Sequence, residues 1–380
     1  MIFLSLFFIY HLFFFLIGLA IYRGKPSLNY IPAKTKFAVV IPAHNEEKVI
    51  GSSVRSILSS NYPKQLIKIF VIADNCTDNT AKIARSAGAA VIERFNNKQR
   101  GKQYALNWAF KKIKLSNYDA FCVLDADNHV HPDYFNEIDA LYQQGHMVIQ
   151  GYVDTKNPGD SWVTANYAYM FWYLCRVQLS RKLLGFSAWL AGTGFCISTD
   201  ILKRLGWNVQ TLCDDIEYTA QLLIAGERVT FAPNAIFYDE KPITFKDSIK
   251  QRVRWVRGQT QVSIRYIPAL TVKVITSWLK GEYMTAVRAF DGIMWIPMNI
   301  IFMFSIIYSV INNNFESILV MCISVPFIMI MPMLAESIKN VKVWKYIFTA
   351  GFFYYTWIPI AFYSIATCGK KTWWRTPHGV

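Results

Sequence analysis

Two aspartates follow one strongly apolar stretch of the sequence. The segment Tyr118–Leu124 predicts a buried strand, and Asp125 and Asp127 come directly after it with one residue between them. Side chains two positions apart on an extended chain point the same way. Both carboxylates can therefore reach one divalent cation such as Mg²⁺ or Mn²⁺, which prefers oxygen ligands and leaves places for water and substrate phosphates. An Asp-rich turn without a metal is the alternative for this motif taken alone.

Polar side chains also follow the first two predicted strands. Phe37–Ile41 and Ile69–Ala73 are continuous apolar runs, which are typical of parallel strands covered on both faces. Asp74 ends the second run, and the first is followed by Ala43, Asn45 and Glu46. Helical spacing between the strands predicts an α/β fold with helices on both faces of a parallel sheet. Such sheets bind ligands at the carboxyl ends of their strands.

A lysine and a glycine-rich turn extend the candidate site. Lys102 follows Gly101 at a predicted helix start, where its charge and the helix N-terminus suit a diphosphate. A solvated surface lysine is the alternative reading. The segment Gly192-Thr193-Gly194 predicts a tight turn that leads into a strand.

Two further motifs lie on predicted helices. Asp214 and Asp215 precede a helix over Ile216–Ala225, where carboxylates also favour a helix N-terminus electrostatically without any catalytic role. A basic amphipathic helix is predicted over Phe245–Ile264, and three of its side chains share one face because they are spaced i, i+3 and i+4. These are Gln251, Arg254 and Trp255. An arginine can pair with a diphosphate through two parallel hydrogen bonds, and a tryptophan ring offers a plane for a sugar. A belt residue at a membrane surface is the alternative for Trp255.

The composition predicts an integral membrane protein. Of the 380 residues, 53% are hydrophobic and 16% aromatic, and the excess is concentrated in a few segments. Each segment has about the 20 residues that a membrane-spanning helix requires. They are Met1–Tyr22, Gly292–Ile311, Phe315–Leu334 and Trp344–Cys368. Arg23 and Lys25 follow the first, which predicts that the middle of the chain lies in the cytoplasm, beneath the plasma (inner) membrane.

Charge and cysteine content restrict the partners and the compartment. The formal net charge is +15, but no basic run is combined with a nucleic-acid-binding motif, so nucleic acid is not expected as a partner. Anionic membrane lipids and a phosphate-bearing substrate explain the charge more simply. Seven scattered cysteines without a Cys-x-x-Cys pair indicate reduced thiols rather than a disulfide framework.

These patterns divide the chain into five predicted parts. The aromatic segment Trp162–Leu184, within the second part, is either a helix at the bilayer surface or a core helix beneath the sheet, and the sequence leaves both open. The parts are a transmembrane anchor (1–24), a cytoplasmic catalytic domain (34–242), interfacial helices (243–285), transmembrane or re-entrant helices (286–368) and a basic, Trp-rich tail (369–380).

Taken in order, the motifs resemble those of the family 2 glycosyltransferases, over roughly residues 37–262. The resemblance is to the membrane-embedded synthases of cellulose, chitin oligosaccharides, hyaluronan and poly-N-acetylglucosamine. It implies a GT-A fold, with a Rossmann-like, mostly parallel sheet. It also implies a metal-dependent, inverting transfer of a sugar from a UDP-sugar, UDP-N-acetylglucosamine or UDP-glucose above all, to a growing β-linked glycan.

The same resemblance implies a role for each motif. Asp74 would bind uracil, Asp125 and Asp127 would hold Mg²⁺ or Mn²⁺ on the diphosphate, and Asp215 would be the catalytic base beside Asp214. The family has a glutamate where Asp214 stands, so the role of this shorter side chain is less defined. The implied substrate-binding residues are Ala43, Asn45, Glu46, Asp74, Lys102, Asp125, Gly192, Thr193, Gly194, Gln251, Arg254, Trp255 and Arg375.

Further expectations concern the acceptor, the exit of the product and the C-terminus. A single transfer to a membrane lipid is the alternative to chain growth, and a transporter or assembly scaffold with an inactive transferase-like domain is the alternative outside enzymes. A growing glycan would need an exit channel through the membrane. Because the chain has few predicted membrane helices, we expect this channel to be narrow or to be completed by a partner subunit or a second copy of the chain. Pro359 breaks the last apolar segment and predicts a re-entrant or interfacial helix pair. Lys370, Lys371 and Arg375 then favour a cytoplasmic tail that reaches the active site.

Overall fold

The computed structural model describes residues 2–21, 32–295, 308, 311–312 and 315–370. Its centre is an eight-stranded sheet with the order β3-β2-β1-β4-β7-β6-β8-β5. The apolar runs that predicted strands are fully buried, as in β1 and β4. The strands are β1 (Phe37–Ala43), β2 (Ile67–Asp74), β3 (Ala90–Arg94), β4 (Ala120–Val123), β5 (His129–Val130), β6 (Val148–Thr155), β7 (Phe195–Ser198) and β8 (Thr230–Asp239).

The direction of β7 departs from the sequence prediction. Strands β1 to β4 pair in parallel, as expected, and β6 pairs with β8 in parallel. In contrast, β7 runs antiparallel to both β4 and β6, and β5 runs antiparallel to β8. The sheet is therefore mixed but mostly parallel, since six of its eight strands run in one direction and only β5 and β7 are reversed. Because β7 is reversed, its first residues lie beside the last residues of β4, where Asp125 follows.

The helices of the described residues pack against this sheet and continue into a C-terminal helical region. They are α1 (Ile2–Ile21), α2 (Ile50–Leu58), α3 (Thr80–Ser86), α4 (Lys102–Lys112), α5 (Tyr134–Gln143), α6 (Trp162–Leu183), α7 (Thr199–Leu205), α8 (Asp214–Ile224), α9 (Phe245–Leu279), α10 (Tyr283–Trp295), α11 (Phe315–Ala335), α12 (Val341–Trp344), α13 (Ala350–Tyr355) and α14 (Trp357–Ala366). Short 3₁₀ turns occupy Lys64–Leu66, Leu115–Asn117 and Ile347–Thr349.

The aromatic helix α6 is a core helix. Ser161 caps its N-terminus in a capping box with Thr164. Tyr167, Tyr169 and Trp172 are buried, and the helix packs against β6, β8 and α1. Of the two readings that the sequence left open, the structure supports a helix packed on the sheet, and a position at the bilayer surface stays a prediction.

Helix α9 extends to Leu279, well beyond the predicted end at Ile264, and contains Pro268. Thr244 caps it by accepting a hydrogen bond from the backbone N–H of Asp247. Its side chains reach the C-terminal helices: the guanidinium of Arg252 is buried and donates to the Thr356 hydroxyl over 2.7 Å. The C-terminal helices therefore pack directly on α9.

The last apolar segment is divided into short helices. Thr356 separates α13 from α14, so the segment is divided before Pro359, and the prediction that the two helices are re-entrant or interfacial stays a prediction. Pro359 lies in the first turn of α14, where the missing N–H of a proline removes no helical hydrogen bond. In the part of the chain that the structure describes, no helix is both long and apolar enough to cross a membrane.

Candidate active site

The carboxyl ends of β2, β1 and β4 form one edge, at which three predicted site residues meet. In the parallel register Ala43 lies opposite Ala73, so Asp74 and Ala43 end neighbouring strands. Strand β4 lies on the other side of β1, and Asp125 follows it. The predicted uracil-binding and metal-binding carboxylates are thus at the same edge of the sheet.

Asp74 forms a buried ion pair that the sequence did not predict. Its carboxylate accepts from the guanidinium of Arg94, at the end of β3, and both side chains are less than a tenth exposed. Burial raises the pKa of Asp74, and the Arg94 charge lowers it in part. Asn75 donates a further hydrogen bond to the same carboxylate oxygen over 3.0 Å. Arg94 could not be found from the sequence because it lies 20 residues away on an adjacent strand.

Asn45 and Glu46 brace the loop beside this edge. Asn45 has a left-handed backbone, with φ 57°, which asparagine tolerates better than most residues. Its side-chain oxygen accepts from the backbone N–H of Thr77 over 2.8 Å. The backbone N–H of Glu46 donates to the hydroxyl of Thr80 over 2.7 Å. Asn45 does not cap α2, which begins at Ile50.

Lys102 connects the predicted metal-binding loop to the glycine-rich turn. Its ammonium group donates to the carboxylate of Asp125 and, over 2.7 Å, to the carbonyl of Gly192. Burial alone would lower the pKa of Lys102. The negative charges of Asp125, Asp214 and Asp215 outweigh this effect, so the pKa is raised overall. The surface-lysine alternative is therefore wrong, because Lys102 lies among the carboxylates of the site.

Asp125 and Asp127 fit a divalent cation that also binds a diphosphate. The Asp125 side chain is 36% exposed, and burial raises its pKa while Lys102 lowers it. Asp127 is nearly buried, and the amide of Asn128 donates to one of its oxygens. Among the described residues, no group of three or more histidine, cysteine or acidic side chains is arranged to hold a metal. The chain would supply a carboxylate pair, and phosphates and water the other ligands, as is common for Mg²⁺.

The turn Gly192-Thr193-Gly194 is held by a buried amide that the sequence analysis missed. Gln150, on β6, accepts from the backbone N–H of Ala191 over 2.8 Å and donates to the carbonyls of Thr193 and Gly194. Gly194 has φ +62°, and a Cβ there would lie 2.0 Å from the Phe237 ring. Only glycine fits this position without a shift of the ring or of the turn.

The predicted base lies beside this turn. Asp214 and Asp215 form the first turn of α8, and a Cβ at Gly192 would lie 3.4 Å from Oδ2 of Asp215. Burial and the neighbouring Asp214 raise the pKa of Asp215 to about 7, while Lys102 and Arg254 oppose the shift. A carboxyl group with a pKa near neutrality is suited to general base catalysis.

Helix α9 brings the Gln251, Arg254 and Trp255 group next to the start of α8. The thiol of Cys213 donates to the carbonyl of Trp255 over 3.2 Å, and a Cβ at Gly258 would lie 2.6 Å from the backbone nitrogen of Cys213. The Trp255 ring packs edge-on against Tyr167, with centroids 5.9 Å apart. Arg254 is close enough to Asp215 to lower its pKa. Of the predicted site residues, Arg375 alone lies outside the described residues.

Comparison with known proteins identifies the family. The family model described as "Glycosyltransferase like family 2" matches residues 32–258, more than half of the chain. The chain therefore belongs to the family 2 glycosyltransferases, enzymes that transfer sugars from nucleotide-sugar donors. This match includes Asp125, Asp127, Asp215 and the Gln251, Arg254 and Trp255 group, and it ends at Gly258.

Individual relatives agree with this assignment. A "Probable glycosyltransferase YdaM" of Bacillus subtilis is 27% identical over 90% of this chain and 84% of its own length. The poly-β-1,6-N-acetyl-D-glucosamine synthase of Staphylococcus aureus (strain COL) is 26% identical over 63% of this chain, which spans only 58% of the synthase. A mannosyltransferase from Pyrobaculum calidifontis, solved with GDP-mannose and Mn²⁺, has the same fold, with a TM-score of 0.55, 16% identity and coverage of 97% of this chain and 98% of that one.

Proposed function

We propose that this chain transfers a sugar from a UDP-sugar, with inversion, to a growing β-linked glycan at the cytoplasmic face of the plasma membrane. UDP-N-acetylglucosamine and UDP-glucose are the preferred candidate donors. The observation that carries the proposal is the grouping of Lys102, Asp125 and Asp215 around Gly192. The synthase relative, whose name specifies a poly-N-acetylglucosamine product, favours the first donor.

The arrangement supports a displacement at the anomeric carbon of the donor. Asp215 would take the proton of the acceptor hydroxyl, whose oxygen attacks that carbon as the bond to the diphosphate breaks and UDP leaves. Asp125 and Asp127 would hold Mg²⁺ or Mn²⁺, which neutralises the charge that develops on the leaving group. Attack from the side opposite to UDP inverts the anomeric configuration.

Other residues would bind and orient the two substrates. The buried Asp74–Arg94 pair lies where the uracil is expected, and an ion pair of fixed geometry can present a carboxylate oxygen to a base edge. Oδ2 of Asp214 is buried and has no hydrogen-bond partner among the described residues, which suits it to accept from an acceptor hydroxyl. Trp255 would provide the plane on which an acceptor sugar stacks.

Membrane attachment is part of the same proposal. Its support is the four apolar sequence segments together with exposed apolar side chains on α1 and on the second half of α9. On α1 these include Ile9 and Phe13, and on α9 they include Ile264 and Leu279. We propose that such faces contact lipid and keep the site close to a membrane-bound acceptor.

Donor turnover by the purified protein in lipid tests the proposal. A panel of UDP-N-acetylglucosamine, UDP-glucose, UDP-glucuronate and GDP-mannose, each with Mn²⁺, should give a β-linked product from one UDP-sugar, identified by mass spectrometry. Asp127→Asn should abolish turnover without unfolding the protein, because it removes an anionic metal ligand. Asp200→Asn, at an exposed position on α7, is the matched control and should be fully active.

Three results would contradict parts of the proposal. Full activity in excess EDTA would exclude the metal. Turnover of GDP-mannose alone would exclude the UDP donor. Products that stop at one added sugar, at high donor concentration and long incubation, would replace chain growth with a single transfer to a lipid.

A further inference from the structure

Asn128 follows the metal-binding aspartates directly, and its side chain is completely buried. Its amide nitrogen donates to Oδ1 of Asp127 over 3.2 Å and to Oδ1 of Asp239 over 2.9 Å. Its amide oxygen accepts from the backbone N–H of Asp125 over 3.1 Å and from the hydroxyl of Thr193. An asparagine amide has two N–H donors and two acceptor lone pairs, so its hydrogen-bonding capacity is used completely.

We propose that Asn128 is a positioning residue that couples the metal-binding loop to the Gly192-Thr193-Gly194 turn, and through that turn to the base Asp215. This inference rests on the proposed function. It assigns to Asn128 no contact with the reacting atoms. Its effect is to fix the relative placement of the groups that hold the leaving diphosphate and the group that accepts the proton.

The first half of the coupling concerns the carboxylates. Asp127 and Asp239 share the two N–H groups of one neutral amide, so Asn128 holds two negative side chains side by side. Lys241 donates to the other oxygen of Asp239 and offsets one of these charges. The hydrogen bond from Asn128 fixes the rotation of the Asp127 carboxylate. Groups that orient metal ligands in this way set metal affinity as well as geometry.

The second half of the coupling runs through Thr193. Its hydroxyl accepts from the backbone N–H of Asp125 over 2.9 Å and donates to the oxygen of Asn128. The carbonyl of Thr193 is held by Gln150, and the preceding residue, Gly192, lies against Asp215. A shift of Asn128 would therefore move both the Asp125 backbone and the turn that borders the base.

Mn²⁺ binding in the presence of UDP tests this role separately from catalysis. Asn128→Ala should weaken Mn²⁺ binding about 10–100-fold, as is typical when the partner of a metal ligand is removed. The measurement is the electron paramagnetic resonance signal of free Mn²⁺, on the full chain in detergent or lipid. The variant should also lower kcat of the productive donor at saturating Mn²⁺, because the turn next to Asp215 loses its support.

The matched control is Asn166→Ala. Asn166 is also completely buried, but it lies on α6 and donates to Trp162 and Thr349, away from the carboxylates. This variant should lose comparable thermal stability and keep its Mn²⁺ affinity. If both variants lose Mn²⁺ affinity equally, or if Asn128→Ala keeps affinity and kcat within twofold, Asn128 is only a structural residue and the inference is wrong.

A second variant keeps the test decisive if Asn128→Ala fails to fold. Thr193→Val preserves the shape of the side chain and removes its hydroxyl, and Asn128→Ser is the milder change at position 128. Thr193→Val should lower Mn²⁺ affinity less than Asn128→Ser does. The double variant Asn128→Ser/Thr193→Val should lose less Mn²⁺ affinity than the sum of the two single losses, because both changes interrupt the same connection. Strict additivity would overturn the coupling. Wild-type protein that binds UDP but no Mn²⁺ would overturn the metal assignment, and with it this inference.

Discussion

At the scale of single residues, the protonation of Asp215 controls the proposed reaction. Burial and Asp214 raise its pKa to about 7, so near neutrality the carboxyl group is partly protonated. A general base must be ionised to accept a proton. We therefore expect kcat to rise with pH through about 7 and to level off above it. A pH–rate profile at saturating donor and metal measures this, and a flat profile between pH 5 and 8 would contradict the assignment.

The variant Asp215→Asn separates catalysis from stability. It should keep UDP binding and lower transfer by roughly 10²–10⁴-fold, the usual loss with a general base. The folded pKa is raised above the unfolded value, so the folded state binds the proton more tightly and wild-type stability falls as pH rises from about 4 to 7. The melting temperature of the variant should therefore exceed that of the wild type by more at pH 8 than at pH 5. If Asp214→Asn abolishes transfer and Asp215→Asn does not, their roles are reversed.

The residues proposed to carry the chemistry were identified from the sequence, and the residues that hold them in place were not. Asp74, Lys102, Asp125 and Asp215 stand next to strand ends or helix starts, where local patterns identify them. Three buried supporting residues carry no such signal, because their partners lie on other strands and become visible only in the folded sheet. These are Arg94, Asn128 and Gln150.

At the scale of secondary structure, periodicity predicted where β7 lies but not its direction. A strand of four residues with only three apolar side chains pairs equally well in either direction, and the turn before it does not specify which neighbouring strand it joins. The antiparallel pairing of β7 with β4 places Gly192–Gly194 next to Asp125. Helix α9 was also predicted too short. Its second half contains Pro268, which usually ends a helix, and it buries only a narrow stripe that includes Leu270 and Ser277.

The contact between α9 and α8 is close enough to test with one methyl group. A Cβ at Gly258 would lie 2.6 Å from the backbone nitrogen and from Sγ of Cys213, two residues before the base. Gly258→Ala should therefore displace the start of α8. We expect kcat to fall about 10–100-fold, since a displacement of about 1 Å can cost that much, and stability to fall by about 1–3 kcal/mol.

Steady-state kinetics and urea unfolding measure these two effects. Thr271→Ala, at an exposed position of the same helix, is the control and should change stability by less than about 0.5 kcal/mol. Unchanged kcat in Gly258→Ala would mean that the spacing of α9 and α8 does not position the base.

At the scale of the whole molecule, α9 joins the sheet domain to the C-terminal helices. Arg252 donates to Thr356, Arg257 donates to the hydroxyl of Thr367, and Gln261 donates to the carbonyl of Cys368 over 2.6 Å. The same helix carries Arg254 and Trp255 beside the base. Helix α9 therefore contacts both the candidate active site and the C-terminal helices. Composition alone predicted these helices, but not the partner on which they pack.

The short helices α13 and α14 help to predict on which side of the membrane the C-terminus lies. The division at Thr356 leaves two helices of 6 and 10 residues, both much shorter than the about 20 residues of a membrane span. Lys370, Lys371 and Arg375 follow them, and positive charges next to apolar segments favour the cytoplasm. We expect the C-terminus to lie on the same side as the catalytic domain.

Cysteine labelling in intact cells decides this expectation. A cysteine at Gly379 should resist an impermeant thiol reagent until the cells are permeabilised, and the unsubstituted protein supplies the background from native thiols. A cysteine at Lys111, an exposed position on α4, reports the side of the catalytic domain and should give the same pattern. If the cysteine at Gly379 is labelled without permeabilisation while the cysteine at Lys111 is not, the C-terminus and the catalytic domain lie on opposite sides of the membrane. Arg375 could then not reach the nucleotide, and the proposed role of the tail would be wrong.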